Sequence, residues 1–217
     1  MTSIVIFGAG GRAGRAVAAE AGRRGIQVTS VVRDPARDRL PGRVVRGDVL
    51  DAASVATLVA GHDAAVNAVS PASDPESLER LGALDGEVYV TATDNLLDGL
   101  AASGVPRLVV IGLFANLVDA DGDPLYDDPA VLPAEFRPFA VAHTAGLDRL
   151  RAADTPVDWL VLTPPAQLVA EAPRRGTYRT GGETGGGVTL SYADLAVAVV
   201  DEIETPAHHR TRISVFD

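Results

Sequence analysis

Residues 8–14 read GAGGRAG, four glycines in seven positions, and they stand between two segments of opposite character. Before them, SIVIF at 3–7 is a short, apolar, β-branched run, the pattern of a strand buried on both faces of a parallel sheet. After them, 12–24 is alanine-rich with arginines and one glutamate, a good helix former. A strand, a glycine-rich turn and a helix in that order make a βα unit that can hold a phosphate. One glycine permits the tight turn, one lets the backbone approach a pyrophosphate, and one lets the helix pack closely on the strand. The spacing narrows this further. G-x-G-x-x-G would need glycines at 8, 10 and 13, but residue 13 is Ala13; G-x-x-G-x-x-G at Gly8, Gly11 and Gly14 fits in full, with Gly10 between. A tight turn without a ligand is the plainer reading, and the strand–turn–helix context favours the phosphate over it.

The rest of the chain repeats the alternation. Strands are expected at 27–32, 43–49, 63–69, 107–113, 157–165 and 212–216, with helices at 52–58 (capped by Asp51), 73–81, within 90–103, at 135–153 and at 191–204. The stretch 176–191, GTYRTGGETGGGVTLS, reads as a hairpin with a glycine-rich tip, and 119–133 as a long acidic loop of the functional or mobile kind. The spacing is that of βαβ units with right-handed crossovers. The expected fold is therefore α/β, a doubly wound parallel sheet of Rossmann type, forming one domain over 1–217 with a small C-terminal hairpin, helix and strand.

Charge and composition exclude several classes. A net charge of −10 repels nucleic acid and anionic membranes, and the basic pairs Arg23-Arg24 and Arg174-Arg175 are too small to offset it. No apolar run approaches membrane-spanning length, and the first strand begins at once, so no leader is expected and the expected location is the cytoplasm. There is no cysteine for a disulfide or a thiolate metal site. All 19 basic residues are arginine. Without a lysine, Schiff-base, Walker-loop and Tyr-x-x-x-Lys chemistry are all excluded.

A dinucleotide site discriminates at the end of the second strand, where arginine suits a 2′-phosphate and a carboxylate suits free ribose hydroxyls. Here Arg33 precedes Asp34, with Arg37 a turn later and Arg12 in the glycine loop. Three guanidinium groups converging there favour NADPH, and Asp34 keeps NADH open. Asp48 is a candidate for the adenine amine, or an ordinary turn aspartate. Ala68, Val69 and Ser70 end the fourth strand at the edge where open α/β sheets bind ligands, and their small side chains would admit a nicotinamide ribose. His208 and His209 read as a surface pair, and no metal site is expected. His143 lies mid-helix behind the acidic loop; it reads equally as a substrate contact or proton donor and as a packed helix residue.

The ordered series GAGGRAG, VVRDP, RGDVLD, GHDAAVNAVSP, RLVVIG, AHTAGLDRLR, VDWLVLTPPA, GTYRTGG and ISVF spans essentially the whole chain. It resembles the NADPH-binding, flavin-reductase-like branch of the atypical short-chain dehydrogenases, close to the NmrA-like proteins and similar to biliverdin reductase B. The resemblance implies that Gly8 to Gly14 cradle a pyrophosphate, that Arg33 and Arg37 hold the 2′-phosphate, and that Asp48 with Val49 flank the adenine. It places Ala68 to Ser70 and Thr163-Pro164-Pro165 beside the nicotinamide, and matches His143 to a histidine common in such helices. Where many relatives carry a GGAGS-like turn, this chain has GLFAN, so that Leu113 and Phe114 replace small residues and Asn116 aligns with the serine.

Two functions follow. Ordinary carbonyl reduction in this superfamily needs the missing lysine, whereas a flavin or quinone needs only stacked rings, with its proton drawn from solvent. The expected activity is NADPH-dependent hydride transfer to a flavin or quinone-like acceptor, flavin being substrate rather than bound cofactor, with Asn116 and His143 orienting it. The alternative is an NmrA-like redox sensor that binds the dinucleotide without turnover and uses the acidic loop to meet a protein partner.

Overall fold

The apolar alternation of β1 (Ser3–Phe7) explains the architecture built around it. Ile4 and Ile6 are fully buried in one apolar cluster while Val5 and Phe7 are buried in another. Strand side chains alternate between faces, so β1 must be covered on both. The computed structural model describes residues 1–36, 39–71, 81 and 84–217. Eight strands form one sheet in the order β3-β2-β1-β4-β5-β6-β10-β8. These are β1, β2 (Gln27–Val32), β3 (Arg43–Arg46), β4 (Ala64–Asn67), β5 (Arg107–Ile111), β6 (Asp158–Thr163), β8 (Arg179–Gly181) and β10 (Thr211–Phe216). All pairings are parallel except β8 against β10.

Helices α1 (Arg12–Arg23) and α5 (Tyr192–Glu204) pack on each other over the Ile4/Ile6 face. Helices α2 (Ala52–Val59), α3 (Val88–Ser103) and α4 (Arg137–Ala152) cover the Val5/Phe7 face. Asp51 caps α2 by accepting from the amides of Ala53 and Ser54, as its position before an apolar run predicts. The doubly wound parallel sheet is thus present, and its order reverses between β1 and β4. That reversal opens a crevice at the C-terminal ends of those two strands.

Two segments differ from expectation. The 176–191 stretch does form strands, but not with each other: β8 pairs antiparallel with β10, while β9 (Thr189–Ser191) pairs parallel with β7 (Gln167–Val169). The cause is steric. Gly186 and Gly187 lie so close to the Phe216 ring that a Cβ there would come within 2.2 and 2.8 Å of it, so these glycines serve close packing rather than a hairpin tip. The acidic loop folds on itself through a 3₁₀ turn at Leu125–Asp127 and is flanked by two more at Phe114–Asn116 and Ala134–Phe136. Its scattered apolar residues explain this, because Leu132 and Tyr126 pack with Ala115 and Ala140 in a small cluster of their own. The expected helix at 73–81 lies outside the described residues, apart from Leu81. At the far edge of the sheet, buried Arg107 holds Asp158 at 2.6 Å and Glu202 at 3.0 Å. His208 and His209 join those same two carboxylates at 2.6 and 2.8 Å, so the histidine pair belongs to this polar network.

Candidate functional site

The crevice is built by backbone. Gly8 has φ +76°, and a Cβ there would lie 2.6 Å from the Ala68 carbonyl oxygen, so the turn after β1 passes directly against the end of β4. A Cβ on Gly14 would meet the Gly8 carbonyl oxygen at 2.3 Å, which means α1 starts as close to its own loop as a backbone can. Gly11 is the helix N-cap; its amide donates to the Gly8 carbonyl at 3.0 Å. Arg15 braces the loop through a 2.8 Å bond from Nε to the Gly10 carbonyl. The first-turn amides of Arg12, Ala13 and Gly14 lack intrahelical partners, and the helix has neither a side-chain cap nor an acidic residue there. Such an end carries about half a positive charge and suits a phosphate. A cradle closed to side chains and open to an anion fits the pyrophosphate of a dinucleotide.

Around the cradle the candidates separate. Arg33, at the end of β2, is exposed and makes no hydrogen bond or ion pair among the described residues. Asp34 turns back to accept from the Ala36 amide at 3.1 Å through Oδ1. Arg12 lies over the Tyr192 ring, 5.5 Å from its centroid, and Arg37 lies outside the described residues. Asp48 is exposed, with Oδ1 accepting from the Leu50 amide at 3.0 Å, while Val49 beside it is buried. Ala68 is buried, Val69 half-buried and Ser70 exposed, and Asn67 orders their loop by accepting from the Val69 amide at 3.1 Å. Pro164 is buried just beyond β6.

His143 and Asn116 do not share a cavity. His143 stacks on Tyr89 with centroids 4.1 Å apart and meets the edge of Phe139 at 5.6 Å. With Asn67, Thr93 and Gly146 it lines a space of about 20 Å³, room for one water. Desolvation there pushes its pKa down to about 4, so the imidazole is neutral near pH 7 and can donate or accept one hydrogen bond without carrying charge. Asn116 lines a larger cavity of about 420 Å³, and among the described residues only Leu147 borders both. Tyr89 and Arg212 escaped sequence reasoning. The phenol of Tyr89 is buried and desolvated, which raises its pKa. Arg212 sits in the apolar final strand, where an arginine between buried neighbours was the available signal.

The His143 environment sets a pH dependence. The unfolded histidine takes its proton near pH 6.5 and the folded one resists it to about 4, so stability falls as pH drops through that window. About 2 kcal/mol should be lost between about pH 7 and about pH 5. Urea midpoints for the protein and for His143→Gln at both pH values check this; equal losses in the two proteins would show that the ring is not desolvated.

Residues 8–206 match the model of the NAD(P)H-binding family. An uncharacterized protein of Bacillus subtilis, YwnB, is 31% identical over 98% of this chain and 97% of its own. Among solved structures, a proposed NADH-flavin reductase from Streptococcus pneumoniae is 25% identical, with a TM-score of 0.82 and full coverage of both chains. A proposed epimerase from Bacteroides thetaiotaomicron is 29% identical, with a TM-score of 0.83 over 99% of this chain and 96% of that one. Among the described residues no helix is long and apolar enough to cross a membrane.

Proposed function

This chain belongs to the NAD(P)H-binding family of oxidoreductase-like folds, and from that premise we propose that it passes hydride from NADPH to a flavin or quinone-like acceptor. The observation that carries this reading is the weakness of proton chemistry at the C-terminal edge of the sheet. The chain has no lysine, His143 is held neutral, and the Tyr89 phenol is buried with a raised pKa. An epimerase or carbonyl reductase that depends on a tyrosine–lysine pair has nothing to work with there. A flavin or quinone ring draws its proton from water and asks only for placement.

The Gly8–Gly14 backbone and the first turn of α1 would hold the pyrophosphate, Arg33 the 2′-phosphate, and the Ala68–Ser70 loop with Pro164 would border the nicotinamide. The reduced nicotinamide, when bound, supplies the hydride. Asn116 would orient the acceptor from its cavity, while His143 packs on Tyr89 in the neighbouring space with room for one water. Flavin enters as substrate.

Anaerobic loss of nicotinamide absorbance, with and without FMN, riboflavin or a benzoquinone, tests the reading. Acceptor-dependent oxidation that prefers NADPH is expected. Tight NADPH binding with no oxidation by any of them would overturn it in favour of a dinucleotide sensor, for which the exposed carboxylates of Asp119, Asp121 and Asp123 offer a partner surface.

Arg33→Gln should weaken NADPH about tenfold or more, the cost of a charge-assisted phosphate contact, and leave NADH within about twofold. Isothermal titration with both nucleotides checks it, and equal losses would remove Arg33 from the 2′-phosphate.

A further inference from the structure

Two helices begin side by side at the edge of the crevice. Arg12 is the first residue of α1 and Tyr192 the first of α5, and the guanidinium of one lies over the ring of the other, 5.5 Å from its centroid. Their ends are electrostatically unlike. In α5 the N-cap Ser191 hydroxyl accepts from the Asp194 amide at 2.8 Å. The Asp194 carboxylate, buried in that first turn, accepts from Ser191 Oγ at 2.7 Å and from the amides of Arg175 and Gly176 at 2.9 and 2.8 Å. This helix end already holds its own anion, whereas the first turn of α1 has neither a side-chain cap nor a carboxylate.

Tyr192 therefore stands on a fixed platform, half-buried, with its turn held by the cap and by the backbone at 175–176. Arg12 is exposed, and among the described residues it makes no hydrogen bond or ion pair. An aromatic face attracts a cation within about 6 Å of its centroid without using the N–H groups, so the donors of Arg12 stay unspent. The direction of the contact matters as well. Helix α1 lies against β1 and β2, and α5 lies against β5 and β10, so Tyr192 stands on the side of α1 turned away from β2. Arg12 follows Gly11 directly, and a guanidinium held on that side borders the glycine cradle rather than the end of β2.

We propose that Tyr192 is a positioning residue for the dinucleotide: its ring holds the Arg12 guanidinium at the mouth of the cradle, where Arg12 donates to a pyrophosphate oxygen. The proposal rests on the reading of Gly8–Gly14 as the pyrophosphate cradle, and adds a side-chain cation and the ring that sets it. Backbone amides alone leave part of the pyrophosphate charge unmatched, and a guanidinium fork suits the phosphate oxygens that remain. The pyrophosphate is common to NADPH and NADH. A contact made there serves both nucleotides equally, unlike a contact from Arg33 to the 2′-phosphate.

The test is calorimetric titration of NADPH and of NADH into the unaltered protein, Arg12→Gln, Tyr192→Leu, Tyr192→Phe and the combined Arg12→Gln/Tyr192→Leu protein. Arg12→Gln should weaken both nucleotides about tenfold. Tyr192→Leu should weaken both about two- to fivefold, and Tyr192→Phe, which keeps the ring, should restore the affinity of the unaltered protein. In the Arg12→Gln background, Tyr192→Leu should cost nothing further, because a positioning residue has no effect once the group it positions is gone. A merely structural Tyr192 would cost the same factor in both backgrounds, and that result overturns the proposal. So does Arg12→Gln binding both nucleotides unchanged, or losing NADPH alone, which would move Arg12 to the 2′-phosphate. If Gly14→Ala weakens NADPH while Arg12→Gln does not, the cradle stands and the roles of Arg12 and Tyr192 fall; binding of neither nucleotide by the unaltered protein overturns both.

Discussion

Replacing Gly14 with alanine is expected to weaken NADPH binding about 100-fold, a loss of about 2.7 kcal/mol. The added methyl would sit 2.3 Å from the Gly8 carbonyl oxygen and 2.7 Å from the Ala9 Cα, both backbone atoms that no rotamer change can move. The first turn of α1 must therefore back away from the loop, and its amides cease to converge on one point. Overpacking of this kind also costs about 1–3 kcal/mol of stability. Gly8→Ala should act similarly, since its φ of +76° is strained for alanine and its Cβ would strike Ala68. Gly25→Ala is the control, because Gly25 shares the φ of +76° but has nothing within 4 Å of its Cβ. It should cost backbone strain alone and keep NADPH affinity within about twofold. Titration of NADPH into the three variants separates the cases; Gly14→Ala binding like the unaltered protein would show that the cradle does not hold the pyrophosphate.

Glu20→Gln is expected to lower the melting temperature by roughly 6–12 °C, corresponding to about 3 kcal/mol in a chain of this size. Glu20 is 5% exposed on α1 and receives Arg23, Arg24 and Arg174, with contacts of 2.9, 2.7 and 2.8 Å. Arg24 would keep Asp201 and Glu204, but Arg174 directs both of its bonds at Glu20 and would lose them. The same contacts, with the bond from Arg23 the largest cause, hold the Glu20 carboxyl well below the usual carboxylate range despite its burial. Its folded pKa is depressed, so its stabilisation is complete above the unfolded value near 4.5 and is lost as pH falls below it. Melting curves across that acid limb should show the unaltered protein losing this increment and Glu20→Gln not losing it. Parallel limbs in the two proteins would mean that Glu20 is not held ionised by its arginines.

Much of the fold was legible because its signals are local. The run at 3–7, the glycine spacing at 8, 11 and 14 and the Asp51 cap each depend on neighbours a few residues away, and each appears where periodicity and capping chemistry put it. The partners of β8 and β9 were not legible. A glycine-rich stretch between two strand-forming runs reads as a hairpin from composition, and only the position of Phe216 shows that those glycines are needed for packing. His143 and Asn116 illustrate the same limit. The sequence marked both, but whether they face one space depends on Leu147, which sits between them only once α4 is laid on the sheet.

By itself, then, the sequence determined the strand–turn–helix cradle, the doubly wound sheet and the exclusion of lysine chemistry. These follow from backbone freedom, side-chain period and residue type, all carried by the chain before it folds. The tertiary structure alone decided that the His143 imidazole is desolvated, that Arg33 makes no bond among the described residues while Asp34 is taken up by its own turn, and that Arg212 donates to the Asn116 backbone carbonyl. Desolvation and hydrogen-bond satisfaction are sums over neighbours distant in sequence, and those neighbours exist only when the sheet has brought residues 116 and 212 together.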